Sequence, residues 1–307
     1  MSRFLSARAV LLSAVLLLPI GVHAQIDIVL KRSFIDKYKD RVTIDATFTV
    51  DKAHPRPNAP KADGDMHIAG RAPEIGLPTV AEIMNAATDV PAVDMIHQAE
   101  GTGVPIRVTG AWRIWCEHGG QDTQKQGAAL QAFTTTNPPH VFEIHPVTQV
   151  ESHTTSATLV SIVGYTPKVA DDAFDRYESK QSKIKVSSAG KTVTLTTSGV
   201  GFNYADFQIV LGEAPHAVVD GTMVMAQVLN DDGELLVHKR RMVFAKGTPP
   251  ETAILQAQQG DTLHVLGIPR VNLALVAWRV DHRKERPEAL TWNLPYEMII
   301  VAIAPRS

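Results

Sequence analysis

The sequence predicts a mainly β protein built as two OB-like five-stranded barrels in tandem, with a few short helices. Two observations carry this. The same succession of segments occurs twice along the 307 residues: Thr43–Val50, Asp63–Arg71, Leu77–Met84, Pro105–Arg113 and Val141–Gln149, then Ala205–Leu211, Asp220–Gln227, Glu234–Phe244, Thr262–Arg270 and Tyr296–Ala302. The copies also align residue by residue: Asp-Gly-Asp-Met-His (63–67) becomes Asp-Gly-Thr-Met-Val (220–224), and Phe-Glu-Ile-His-Pro (142–146) becomes Tyr-Glu-Met-Ile-Ile (296–300). Gly110 and Gly267 fall in register, as do Arg113 and Arg270, and glycine is expected where a barrel strand bends sharply.

Taken in order, Arg3 and Arg8, the apolar run Ala9–Ile20 and the small residues ending at Ala24 have the pattern of a cleaved export signal. The apolar run is short of the roughly 20 residues that span a bilayer, and no later segment is long and apolar enough to cross. The expected mature protein starts near Gln25 and is periplasmic or secreted, with an N-terminal barrel domain over 25–152, a connector over 153–200 and a second barrel domain over 201–307. Ser33 and Asp36 have the spacing of a capping box opening a short helix. Thr43–Val50 alternates with a period of two and is rich in β-branched residues, which predicts a strand. Pro55, Pro57 and Pro60 make Ala53–Ala62 a loop, and Gly76-Leu-Pro78 breaks the chain before Thr79–Met84. Ala92–Ala99 has helical spacing, Ile106–Gly110 is a strand, and Cys116–Pro139 is a long polar loop. In the connector, Asp171–Lys183 reads as a helix and Ile184–Thr197 as a hairpin turning at Ser188-Ala-Gly190. Strand, strand, strand, helix, strand, strand is the OB order.

The formal charge is −2 with the charges well mixed. Nucleic-acid binding needs a basic footprint that displaces counterions, so this composition argues against it. Small molecules, metals and proteins remain as partners. Cys116 is the single cysteine, so packing and not an internal disulfide must stabilise the fold. Glu117 beside it opposes the thiolate that a nucleophile needs.

The repeat separates what the fold requires from what one copy adds. Asp63, Asp65 and His67 are spaced two apart, so on a strand they share a face. Glu143 and His145 do the same. Together Asp63, Asp65, His67, Glu143 and His145 are the candidate ligands of a divalent metal, because carboxylates and imidazoles are its usual donors. The bland alternative is also open: Asp63-Gly64 is a common turn, and the histidines can be polar core residues bonded across strands. Glu143 recurs as Glu297, which favours a structural role for it. Trp112, Arg113, Glu117, His118 and Arg71 are candidate contacts for a small ligand, since aromatic and guanidinium faces stack on planar or sugar-like groups. Against that, Trp112 and Ile114 fit a core with Arg113 and Trp115 on the exterior.

The strings Asp63–Arg71, Leu77–Asn85, Val108–His118 and His140–Thr148 resemble a family of exported bacterial proteins of unknown function, mainly over residues 33–150. Asp63-Gly-Asp65 is also similar to the early strand of staphylococcal-type nucleases, where a carboxylate binds calcium. That second resemblance implies metal-assisted phosphodiester hydrolysis, with Asp65 as ligand, Glu82 or Glu143 as base, and Arg71 or Arg113 on the anion. The chain departs from it after the third strand, where Ala-Glu82-Ile-Met stands in place of the family's Asp-Thr-Pro-Glu. The preferred expectation is an exported, non-enzymatic module that binds a small ligand or a metal on the first barrel. A nuclease-like hydrolase and a purely structural or interaction protein are the alternatives.

Overall fold

A computed structural model describes residues 25–120, 123–282 and 290–303; the expected export signal at 1–24 lies outside them. The strands of the first barrel are, in sequence, Thr43–Ala53, Met66–Arg71, Thr79–Ile83, Ile106–Ile114 and Phe142–Val150. They pair in the order three, two, one, four, five, and three closes the ring by running parallel to five. The second barrel uses Ala205–Leu211, Gly221–Leu229, Leu235–Ala245, Thr262–Val271 and Tyr296–Ile303. Its strands have the same cyclic order, again with three and five parallel. A helix joins strands three and four in both, Val90–Ala99 and Pro249–Ile254. Two tandem OB-like barrels are therefore the architecture.

The local reasons are visible. In strand one of the first barrel, Ile44, Ala46, Phe48 and Val50 alternate inward and are buried, while their neighbours face outward. Each such large apolar side chain contributes about 1.5–3 kcal/mol by leaving water. The Asp89 carboxylate accepts from the Ala92 amide and caps helix Val90–Ala99, and Thr248 caps Pro249–Ile254 by accepting from the Glu251 amide.

Several expectations are corrected. The helix near Ser33 spans Arg32–Tyr38, with Lys31 as its N-cap and no side-chain cap. Ser33 is inside the helix, so there is no capping box. Strand two of the first barrel begins at Met66 and not at Asp63: Asp63 and Gly64 form a turn, and the Asp63 Oδ1 accepts from the Asp65 amide. Connector helix Ala170–Glu178 ends sooner than expected, because the chain enters a strand at Gln181.

A third sheet contains the connector hairpin expected at Ile184–Thr197, but the strands that flank it had no sequence forecast. The sheet orders Leu290–Asn293, Gln181–Val186, Thr192–Ser198, Gln25–Lys31 and Gln124–Lys125. The start of the described chain thus pairs with the connector hairpin, Ile26 opposite Thr197. Gln124–Lys125 lies inside what the sequence presents as loop.

The Arg–Glu pair recurs in both barrels. Arg113 stands opposite Glu143 across strands four and five, and Arg270 stands opposite Glu297 in the same place. Both pairs are ion-paired and buried. The expectation that Glu143 has a structural share is consistent with this duplication.

Candidate metal centre

Three strands of the first barrel gather the polar cluster. His67 pairs with Glu82 across strands two and three, which puts their side chains on one face, His67 Nε2 3.6 Å from Glu82 Oε2. Strand three then runs parallel to five with Ala81 opposite Ile144, so Glu82 lies alongside His145. The His145 Nδ1 is 3.2 Å from Glu82 Oε2 and 3.5 Å from Glu143 Oε2. On the other edge of the ring, His145 Nε2 is 3.4 Å from Asp65 Oδ2 and 2.9 Å from the Tyr204 hydroxyl. That hydroxyl donates to Asp65 Oδ2 at 2.6 Å. Asp65, Glu82, Glu143, His145 and Tyr204 are all buried.

Asp65 Oδ1 has no hydrogen-bond partner, and Glu82 Oε2 and His145 Nδ1 meet only as an ion pair out of hydrogen-bond alignment. An unsatisfied buried polar atom costs about 1–3 kcal/mol, so this incompletely satisfied group marks a place able to face something else. Asp65, Glu82 and His145 offer donor atoms that lie within 4.8 Å of one another, the span of a coordination sphere. Glu82, His140 and Glu143 form a second such group.

Charge explains the titration behaviour. Burial raises the carboxyls of Asp65 and Glu82, against the pull of His145. Burial alone would raise Glu143 too, but Arg113 first and then His140 and His145 hold it well below the usual carboxylate range. Burial pulls His145 down, yet Glu82 and Asp65 outweigh it and hold the imidazole at about 10. His140 is raised in the same way by Glu143; its Nδ1 donates to the Pro138 carbonyl at 2.7 Å, which turns Nε2 toward Glu143 Oε1 at 3.3 Å. His140 precedes strand five, so strand alternation does not bind it and it reaches the same side as His145.

The cluster adjoins, through Glu82 and Tyr204, a cavity of about 590 Å³, within the size range of small-molecule sites. His67 and Glu82 reach it from the first barrel, together with Asp63, Glu117 and His118. Tyr165 and Lys168 of the connector and Phe202, Asn203 and Tyr204 before the second barrel close the opposite side. His54 stacks on His67 at 4.6 Å.

Of the expected metal ligands, Asp65, Glu143 and His145 meet at the cluster and His67 stands at its cavity edge. Asp63 lines the cavity but is occupied as a turn cap and by Asn58. Of the expected ligand contacts, Glu117 and His118 line the cavity, and the other three do not. Trp112 is core: its Nε1 donates to the Arg41 carbonyl at 2.8 Å and the Arg270 guanidinium lies 3.7 Å over its ring. Arg71 is held by both oxygens of Asp51. Arg113 is buried on Glu143. Trp115, expected outside, is buried as well, packed edge-on against Tyr177 of the connector.

Glu82 as a donor, His140 and Tyr204 were missed. The signal for Glu82 was a single carboxylate in an otherwise apolar strand, Thr-Val-Ala-Glu-Ile. Tyr204 had no local signal, since only the tertiary fold carries it to His145. No protein-family model matches this chain, and no curated protein matches it.

Proposed function

We propose that this protein binds one divalent cation of the zinc or manganese class through Asp65, Glu82 and His145, with His67 as a further donor at the cavity edge. The observation that carries the reading is the convergence of buried Asp65, Glu82 and His145, whose donor atoms lie within 4.8 Å of one another, with Asp65 Oδ1 left without a hydrogen-bond partner. Mixed carboxylate and imidazole donors suit such ions.

Glu82 and His67 line the adjoining cavity, so a small molecule held there would approach the cation from their side, and the protein acts as a metal-dependent binding module. Phosphodiester hydrolysis would also need cationic charge on the phosphate. Arg71 is engaged by Asp51 and Arg113 by Glu143, and that disfavours the nuclease-like alternative. The export-signal pattern of residues 1–24 supports a periplasmic or secreted setting for this function.

The test is calorimetric titration of chelator-treated protein with Zn²⁺ and with Mn²⁺, alongside Glu82→Gln. One ion bound by the wild type, with the variant at least tenfold weaker, is expected. Ion at 100 times Kd should stabilise the fold by about 2.7 kcal/mol, reversibly with chelator. The absence of both a binding heat and a thermal shift with either ion would refute the proposal.

A further inference from the structure

The second barrel lost the ionisable residues of the first: Thr222, Val224 and Ile299 stand where the first has Asp65, His67 and His145. It nonetheless reaches the cluster through Tyr204, the residue immediately before its first strand. We infer that Tyr204 is a positioning residue for the metal centre, fixing His145 so that Nδ1 and not Nε2 meets the cation. This inference rests on the cation reading above.

The hydrogen-bond directions leave little freedom. A phenol has one proton to give, and Tyr204 gives it to Asp65 Oδ2 at 2.6 Å, since an ionised carboxylate can only accept. The Tyr204 oxygen therefore accepts from His145 Nε2–H at 2.9 Å. With the Nε2 proton held by Tyr204, the proton that His145 gives up to a bound cation is the one on Nδ1, the nitrogen 3.2 Å from Glu82 Oε2. The same hydroxyl occupies Asp65 Oδ2 and so leaves Oδ1, itself unpartnered, as the free donor. One hydroxyl thus selects one donor atom on each of two ligands. Outer partners that hold a ligand histidine by its second nitrogen commonly govern metal affinity 10- to 100-fold. The Tyr204 ring is itself fixed, packed edge-on against His145 at 5.6 Å and Tyr165 at 5.5 Å. The centre is in this sense built by both barrels.

The experiment compares zinc binding by wild type, Tyr204→Phe and Tyr296→Phe. The last removes a buried phenol that bonds Glu178 away from the cluster, and so controls for loosened packing. Imidazole nitrogen NMR of wild type, apo and zinc-loaded, runs alongside. Expected are a Kd raised at least tenfold in Tyr204→Phe with one-ion stoichiometry kept, a change under twofold in Tyr296→Phe, and a zinc-loaded wild type whose His145 keeps its proton on Nε2. Unchanged affinity in Tyr204→Phe, equal losses in both variants, or zinc on Nε2 in the wild type would each overturn the inference while leaving the cation site standing. No zinc or manganese binding by the wild type removes the cation reading, and this inference with it. The NMR measurement needs only the wild type, so it decides the matter even if Tyr204→Phe does not fold.

Discussion

Arg113 and Arg270 exchange hydrogen bonds across the junction of the two barrels. Arg113 Nε donates to the carbonyl of Pro269, the residue before Arg270, at 2.9 Å; Arg270 Nη1 donates to the carbonyl of Trp112, the residue before Arg113, at 3.0 Å. Each arginine is anchored from behind by its own strand-five glutamate. Duplication of the barrel has become a reciprocal clasp, in which equivalent residues of the two copies bind each other.

Removing one half of the clasp should be costly. Arg270→Ala leaves the carbonyls of Arg41, Val42 and Trp112 without this donor and strips one partner from buried Glu297. A loss of about 3–5 kcal/mol is expected. Arg270→Lys should recover only part of it, because an ammonium cannot span three carbonyls and a carboxylate. Denaturant midpoints for the three proteins check both statements.

The matching glycines should differ in tolerance. A Cβ at Gly110 would lie 2.5 Å from the Pro146 carbonyl oxygen and 2.8 Å from Val147 Cα, so backbone would have to move. At Gly267 the nearest atoms are Phe207 ring carbons at 3.0 and 3.1 Å, and a ring can tilt. Gly110→Ala should cost about 3 kcal/mol and Gly267→Ala about 1 kcal/mol. Equal thermal shifts would contradict this.

Cys116 should be inert in the folded protein. It is 1% exposed, and burial pushes its thiol up to about 12, against the pull of Arg113. The thiolate is the reacting form. A thiol-reactive disulfide reagent at pH 8 should therefore titrate no cysteine in native protein and one after unfolding. Rapid labelling of native protein would show that the site opens.

His118 should give a measurable acid sensitivity. Burial lowers it from 6.5 to about 4, with Glu143 opposing. Between those values the unfolded chain takes up a proton that the folded one refuses, so stability is retained above pH 6.5 and declines as pH falls toward 4. Because water in the cavity screens this residue, the loss should be about 1–2 kcal/mol. The difference in stability between wild type and His118→Gln, measured from pH 7 to 4, isolates it from the carboxylates common to both.

The barrels were legible because alternation and the repeat are local properties: Ile44, Ala46, Phe48 and Val50 declare an inward face wherever the strand ends up. In the third sheet only the connector hairpin was, since Gln25–Lys31 becomes a strand only by meeting Thr192–Ser198. The site was half legible for the same reason. Asp65, His67 and His145 stood out as residues that one copy has and the other lacks, while Glu143 recurs as Glu297. The contrast could not reveal Tyr204, which lies outside the duplicated motifs. It also overvalued Trp112 and Arg71, whose aromatic and cationic faces are already taken by Arg270 and Asp51.

The sheet that couples Gln25–Lys31 to Thr192–Ser198, and those to Leu290–Asn293, has a consequence for how the molecule forms. Its opening strand waits for a neighbour roughly 170 positions further along, and the hairpin waits in turn for the final stretch. Pairings this remote in sequence slow folding. A nascent or shortened polypeptide would expose the apolar side of that sheet until nearly the whole chain had emerged, so the two halves are poorly suited to be produced apart.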